Sequence, residues 1–286
     1  MNNLASRQNQ ADILDMLAAQ RQLYLEAKSI VKWRTVVVIL LASIPIITHF
    51  IHGLEELEWT TLIPLVFVSF IFPIALKRWE KSKVLLAASI QEKIDTTLFD
   101  LPWTTHVAIG KPIDLQITSA AARFRGDRAL LNDWYSNIPD TLEHATAVLR
   151  CQQINLWWDS EQRHFFMRMY QVLGISAYLI PLIWAGFAGT PVAEYAFYWL
   201  VPSFGLIELC FEKFNAHNRL SQKQTQLAAE INELLESNAN VNTQLLRANQ
   251  DVILQNRMEP ALVPEWIYNR LRPRLESAMK HSNEKS

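Results

Sequence analysis

Three stretches of this 286-residue chain hold almost no charge, and that segregation constrains the fold more than any motif does. No Asp, Glu, Lys or Arg occurs over residues 35–51 or 60–76, and over residues 170–211 the only charges are Glu194 and Glu208. The mean hydropathy of +0.03 conceals this, because strongly polar flanks offset the apolar runs. Inside a bilayer every backbone polar group needs a partner within the segment, so long uncharged runs read as membrane-crossing helices. The first two runs sit at the short end of the spanning range, roughly 17–25 residues. The third would make a helix of roughly 63 Å at ~1.5 Å per residue, too long for one crossing. Gly186, Gly189, Thr190 and Pro191 supply a break, which gives a third span over 170–187 and a fourth over 192–211. The expectation is four spans in two hairpins.

Basic residues set the orientation. Lys32 and Arg34 precede the first span, and Lys77, Arg78, Lys81 and Lys83 follow the second. Arg163 and Arg168 precede the third, and Lys213 and Arg219 follow the fourth. The opposite loops carry Glu55, Glu56 and Glu58, or no charge at all. The positive-inside rule then places both termini and the central region in the cytoplasm of a multi-pass inner-membrane protein. Trp33, Trp59, Trp79 and Trp199 fall near span ends, where amphipathic rings anchor to the interface. Arg7, Asp12, Asp15 and Arg21 ahead of the first apolar run do not read as a signal peptide.

The fold class is therefore an all-α integral membrane protein with a helical cytoplasmic body. Its expected parts are an N-terminal cytoplasmic helix (1–34), hairpin 1 (35–76), a central cytoplasmic region (77–169), hairpin 2 (170–211) and a C-terminal cytoplasmic region (212–286). Residues 77–99 lack Gly and Pro and favour a helix that leaves the second span unbroken. Asp114 reads as the cap of a helix reaching the Gly126 turn. Pro139, Asp140 and Glu143 form a second start signal, and no Gly or Pro follows until Gly174. That helix is expected to run straight into the third span. Downstream, Leu227, Ile231, Leu234, Asn238, Val241, Leu245, Ala248 and Val252 alternate spacings of four and three. This heptad stripe has two readings: an oligomer seam in which Asn238 fixes the register, or the core face of a helix packed on its own subunit. Pro260 and Pro264 end it.

Signatures of catalysis are scarce. None of the seven histidines stands in an HExxH pattern, and Cys151 and Cys210 form no CxxC pair. His49 and His52 sit at the outer end of the first span without acidic or thiol neighbours. Gly110-Lys111 runs into Pro112 and makes no phosphate loop. The reading is a non-enzyme with no cofactor and no metal. A net charge of -1 argues against a nucleic-acid polymer as partner.

A binding signal remains. Arg123, Arg125 and Arg128 surround Gly126, and Trp103, Trp134, Tyr135, Trp157 and Trp158 place flat rings in the same cytoplasmic region. Guanidinium groups suit phosphates and aromatic faces suit bases. The competing reading makes the arginines a solvated face and the tryptophans core.

The runs QEKIDTTLFDLPW (91–103), NDWYSNIP (132–139) and CQQINLWWDSEQR (151–163), set between two hydrophobic hairpins, resemble the SMODS-associated four-transmembrane (4TM) family of pore-forming effectors. The resemblance covers nearly the whole chain and is specific in the central region. It implies an anti-phage role beside a nucleotide cyclase, as in CBASS operons, with a cyclic nucleotide or cyclic oligonucleotide as ligand. The implied outcome is membrane disruption and abortive infection.

Two functions from different classes follow. In one, the ligand rearranges the cytoplasmic helices and a homo-oligomer opens a pore, since four spans per chain enclose little channel alone. Glu194 and Glu208, costly in lipid, then face protein, water or an interface. In the other, the chain is a non-conducting membrane-anchored scaffold that recruits a cytoplasmic partner.

Overall fold

The computed structural model describes residues 2–50, 59–135, 138–237 and 241–283. Among them every regular element is helical: α1 (Leu4–Arg7), α2 (Ala11–Phe50), α3 (Trp59–Leu98), α4 (Asp114–Arg123), α5 (His144–Ala188), α6 (Val192–Tyr195), α7 (Val201–Glu236), α8 (Thr243–Arg257) and α9 (Glu265–Asn283). A 3-10 turn spans Arg128–Leu131 and a π-helical turn Ala196–Leu200. Two compact units emerge. One contains Met1–Lys28, Glu80–Arg163 and Leu220–Ser286; the other contains Ser29–Trp79 and His164–Arg219. Helices α2, α3, α5 and α7 each carry residues of both.

The first unit is a helical bundle whose core follows from apolar spacing. Ile13, Leu17 and Leu23 of α2, Ala87, Ile90, Ile94 and Leu98 of α3, and Val148 and Cys151 of α5 are all buried. Leu227 and Ile231 of α7 and Leu246 and Ile253 of α8 complete the same cluster. Residues three and four apart share a helix face, so each stripe closes on its neighbours. Arg7 of α1 pairs with Asp100 at 2.9 Å, and this contact holds the Asp100 carboxyl below its ordinary range.

Inside this apolar shell lies a charged layer. Glu92 is fully buried and meets Arg247 at 2.7 Å, and Arg247 also meets Asp251 at 2.9 Å. Arg257 approaches Asp95 at 2.5 Å. Gln250 donates to Glu92 at 3.1 Å and to Asp95 at 2.9 Å. The Tyr135 hydroxyl donates to Asp95 at 2.8 Å. Burial pushes the Glu92 carboxyl up despite Arg247, and it pushes the Tyr135 hydroxyl and the Cys151 thiol well up. Buried charges persist when paired and hydrogen-bonded; here Glu92 and Asp95 each have an arginine and the Gln250 amide, while Glu92 Oε1 and Arg247 Nε lack a hydrogen bond.

The second unit contains a helical hairpin. Phe166 of α5 packs edge-on against His217 of α7 with centroids 4.7 Å apart. A Cβ added at Gly174 would lie 3.2 Å from the Cβ of Cys210, so the two helices approach closely there. Between them α5 ends at Ala188, and Gly189 takes φ +64°, a conformation that favours glycine. The break expected at 186–191 is present. Along α5, Val172, Ile175, Ile180, Ile183, Trp184 and Phe187 are each more than half exposed. Among the described residues this helix alone is long and apolar enough to cross a membrane, and only 6% of its most apolar window is buried. An apolar face left this bare in water would be anomalous. The first two expected spans fall on α2 and α3, where the side chains of 41–50 and 59–74 are not described.

Several expected details shift. Helix α5 does begin before the third span and runs into it unbroken, but it starts at His144 rather than at Asp140. The Asn2 side chain donates to the Pro139 and Leu142 carbonyls, and its backbone N–H donates to Asp140, so 139–142 forms a turn. Asp114 is the first residue of α4 and not its cap. Its carboxylate meets Lys93 at 2.9 Å, while Gln116 reaches back to the Ile113 N–H at 3.1 Å. The heptad stripe does not form one helix: α7 ends at Glu236, and Asn242 starts α8 by accepting from the Leu245 N–H at 2.8 Å. Leu227 and Ile231 lie in the core, with Leu234, Val241 and Val252 packed against it, and Leu245 is half-buried. Asn238, His52, Glu55, Glu56 and Glu58 lie outside the described residues.

Candidate ligand-binding site

The first unit holds a half-open cavity of about 300 Å³, built from both ends of the chain and its middle. Helix α2 supplies Arg21, Tyr24 and Lys28, and the segment before α5 supplies Asn132, Asp133 and Trp134. Helix α5 adds Asn155, Trp158, Asp159 and Arg163, α7 adds Gln224, and α8 adds Asn256 and Arg257. The link after α8 and the start of α9 close the wall with Glu259, Ala261, Glu265 and Tyr268. The volume lies at the lower end of the ~300–1,000 Å³ typical of small-molecule sites.

Cations and aromatic rings are arranged together here. Trp158 and Tyr268 pack with centroids 6.3 Å apart. The Arg21 guanidinium lies over the Tyr268 ring at 4.8 Å, a cation–π placement that holds the charge in position. Arg21 donates to one Glu265 oxygen at 2.6 Å and Lys28 to the other at 2.7 Å. On the opposite wall Arg163 donates to Asp159 at 2.9 Å and to the Ala261 carbonyl at 2.9 Å. Gln224 donates through its amide nitrogen to the same Asp159 carboxylate.

Burial governs the protonation of the wall. It drives the Tyr24 hydroxyl well above its ordinary range, so the ring presents a neutral O–H. Burial also lowers Lys28, and Glu265 only partly restores it. Arg257 is desolvated as well, but Asp95 overrides the effect and keeps it firmly cationic.

Two polar atoms stand out. The Asn256 amide nitrogen and the Gln224 amide oxygen are buried without a hydrogen-bond partner, and each residue is 3% exposed. A buried polar atom left unpaired costs about 1–3 kcal/mol. Here one is a donor, the other an acceptor, and both residues line the cavity.

Of the residues the sequence singles out, Trp134 and Trp158 line the cavity. Tyr135 faces the core, with its hydroxyl donating to Asp95 and accepting from Asn155 at 2.9 Å. Trp103 lies beneath the Lys111 ammonium at 5.6 Å and outside the cavity wall. Arg123, Arg125 and Arg128 are exposed and are not part of that wall. Arg123 meets Glu26 at 2.9 Å and Arg128 meets Asp15 at 2.7 Å. Glu194 and Glu208 are exposed in the second unit. Sequence reasoning missed Arg21, Lys28, Gln224, Asn256, Glu265 and Tyr268. Their partners lie up to 244 residues away along the chain, which leaves no local pattern.

Among the described residues the chain thus combines one long, bare apolar helix with an all-helical unit that holds a cavity lined by both polar and aromatic side chains. The chain belongs to the SMODS-associating 4TM effector domain family, which it matches over residues 2–286. It is 25% identical to a probable CBASS effector molecule of Bacillus cereus (strain VD146), covering 93% of this chain and 92% of that one. No solved structure matches it.

Proposed function

We propose that this protein is an anti-phage defence effector of the bacterial inner membrane that senses a cyclic nucleotide in the cytoplasm and opens an oligomeric pore. The observation that carries the sensing reading is the unpartnered donor and acceptor, Asn256 and Gln224, in a cavity that also offers Trp134, Trp158 and Tyr268. A base stacked on one of these rings gains roughly 1–3 kcal/mol, and its edge carries the donors and acceptors that amides pair with. The family and the Bacillus cereus relative, a probable CBASS effector molecule, support the effector half of the reading.

The apolar face of α5 supports the membrane half of the reading. Four spans, both termini in the cytoplasm and a homo-oligomer with its pore on the symmetry axis complete it. Glu194 and Glu208, exposed in the single chain, then face the pore or a neighbouring subunit. The chain passes between the two units within α2, α3, α5 and α7, so an ordering of the first unit by ligand is felt by helices that continue into the second.

Calorimetry on the detergent-solubilised protein tests the sensing site. Replacing Asn256 by Leu removes a donor that has no partner in the chain, so folding is expected to be unharmed. Affinity for the cognate cyclic nucleotide is expected to fall about tenfold, the equivalent of ~1.4 kcal/mol. A folded N256L protein that binds with unchanged affinity places the ligand elsewhere.

A further inference from the structure

We propose that Arg21 and Lys28 form a phosphate subsite in the cavity wall, and that the Glu265 carboxylate occupies it in place of the ligand. The proposal rests on the nucleotide-sensing reading above and names the anion half of that site. Glu265 bridges the two cations, one oxygen at 2.6 Å from Arg21 and the other at 2.7 Å from Lys28. Two oxygens of one anionic group set between a guanidinium fork and an ammonium reproduce the arrangement with which proteins hold a phosphate diester. The Tyr268 ring, 4.8 Å beneath the Arg21 guanidinium, fixes that fork so that it stays aimed when the anion changes. Asn256 and Gln224 line the same cavity, with one donor and one acceptor unpaired, so polar groups for a base lie on the same wall set as the two cations.

A single carboxylate serves two half-buried cations, and burial still holds Lys28 below its ordinary range in its presence. A cyclic oligonucleotide carries a diester at each junction, with a non-bridging oxygen for each cation. Glu265 is also the first residue of α9 and directly follows Pro264. Its displacement therefore loosens the start of α9 in the same step that admits the ligand. No bond is made or broken; one ion pair is exchanged for another.

A purely structural tie between α2 and α9 makes a different prediction. In that case Glu265→Gln lowers thermal stability and does nothing to anion binding. The discriminating experiment titrates inorganic pyrophosphate, and separately cyclic di-AMP, cyclic di-GMP and cyclic GMP–AMP, into full-length protein in detergent. Wild type, Glu265→Gln, and Glu265→Gln carrying Arg21→Gln and Lys28→Gln are compared by calorimetry. Glu265→Asp, whose carboxylate is withdrawn by one methylene, replaces Glu265→Gln should the latter fail to fold. The expected result is pyrophosphate binding about tenfold tighter in Glu265→Gln than in wild type, and lost in the triple variant. Equal binding in wild type and folded Glu265→Gln, or retention in the triple variant, overturns the subsite. If pyrophosphate follows this pattern but no cyclic nucleotide binds any variant, the subsite stands and the sensing reading falls. If a cyclic nucleotide binds wild type while pyrophosphate ignores Glu265, the sensing reading stands and the subsite falls.

Discussion

Replacing Arg257 by Met strikes the charged layer at its most sensitive point. Arg257 meets Asp95 at 2.5 Å, and Asp95 is only 2% exposed. With the guanidinium gone, the Asp95 carboxylate keeps the Gln250 amide at 2.9 Å and the Tyr135 hydroxyl at 2.8 Å, but no cation remains against it. Removing one partner of a buried ion pair costs about 3–5 kcal/mol, because the other charge is left uncompensated. For a unit of about 150–250 residues each kcal/mol moves Tm by about 2–4 °C, so the expected fall is about 6–20 °C. Thermal unfolding in detergent, followed by tryptophan fluorescence, reads this directly. Trp134 and Trp158 lie in the same unit as the pair, so their emission reports its unfolding. The double variant Arg257→Met with Asp95→Asn removes the stranded charge and should recover more than half of the loss. A fall below about 2 °C in R257M would refute the claim that this layer is desolvated.

Three further outcomes follow from the same structure. Ile231 is fully buried in the core, so Ile231→Asp should unfold the first unit, as judged by protease sensitivity; a folded variant with a smaller oligomer would instead assign residue 231 to a subunit seam. Burial works to raise the Glu26 carboxyl, but hydrogen bonds from Lys83, Arg123 and Gln22 bring it from 4.5 down to about 2. A carboxylate lowered by folding contributes stability above its unfolded value and loses it as pH falls through the folded one, so the loss runs from about pH 4.5 to about pH 2. Glu26→Gln should flatten acid unfolding in that window, and an unchanged acid profile would contradict the pairing. Reporter fusions after Lys83 and after Ser286 should read cytoplasmic and one near Glu56 periplasmic; a periplasmic C-terminus rules out four spans.

Much of the helical plan was legible because it obeys local rules. The lack of Gly and Pro forecast that α3 continues beyond residue 77 and that α5 runs from the body into the third apolar run. The glycine cluster forecast the break, which falls where Gly189 alone takes a positive φ among the described glycines. The heptad pattern across 227–252 gives no sign of the new start at Asn242, whose side chain accepts from the Leu245 N–H. Helix α8 shows the deeper limit. Arg247, Gln250 and Asp251 fall outside the apolar stripe, yet they are buried, with Arg247 meeting Glu92 and Gln250 meeting Asp95 of α3. Buried and exposed charges look identical until their partners are known.

The site was less legible for the same reason. Aromatic content located Trp134 and Trp158 in the cavity wall, since rings near a cationic body are visible as composition. The cations on that wall were not found, because Arg21 and Lys28 are joined to Glu265 across 244 and 237 residues. The arginines clustered in sequence at 123–128 turn outward, where Glu26 and Asp15 receive Arg123 and Arg128. Clustering in sequence and convergence in space are independent properties.

Leakage from liposomes tests the central claim most directly. Purified protein is reconstituted into vesicles loaded with a self-quenched dye and potassium ions, and cyclic di- and trinucleotides are added outside. The account predicts release that depends on one class of cyclic nucleotide, saturates with its concentration, and needs about tenfold more of it in Asn256→Leu while that variant inserts normally. Vesicles that stay sealed with every cyclic nucleotide, although one of them binds the protein, would contradict the pore and leave a non-conducting membrane scaffold in its place.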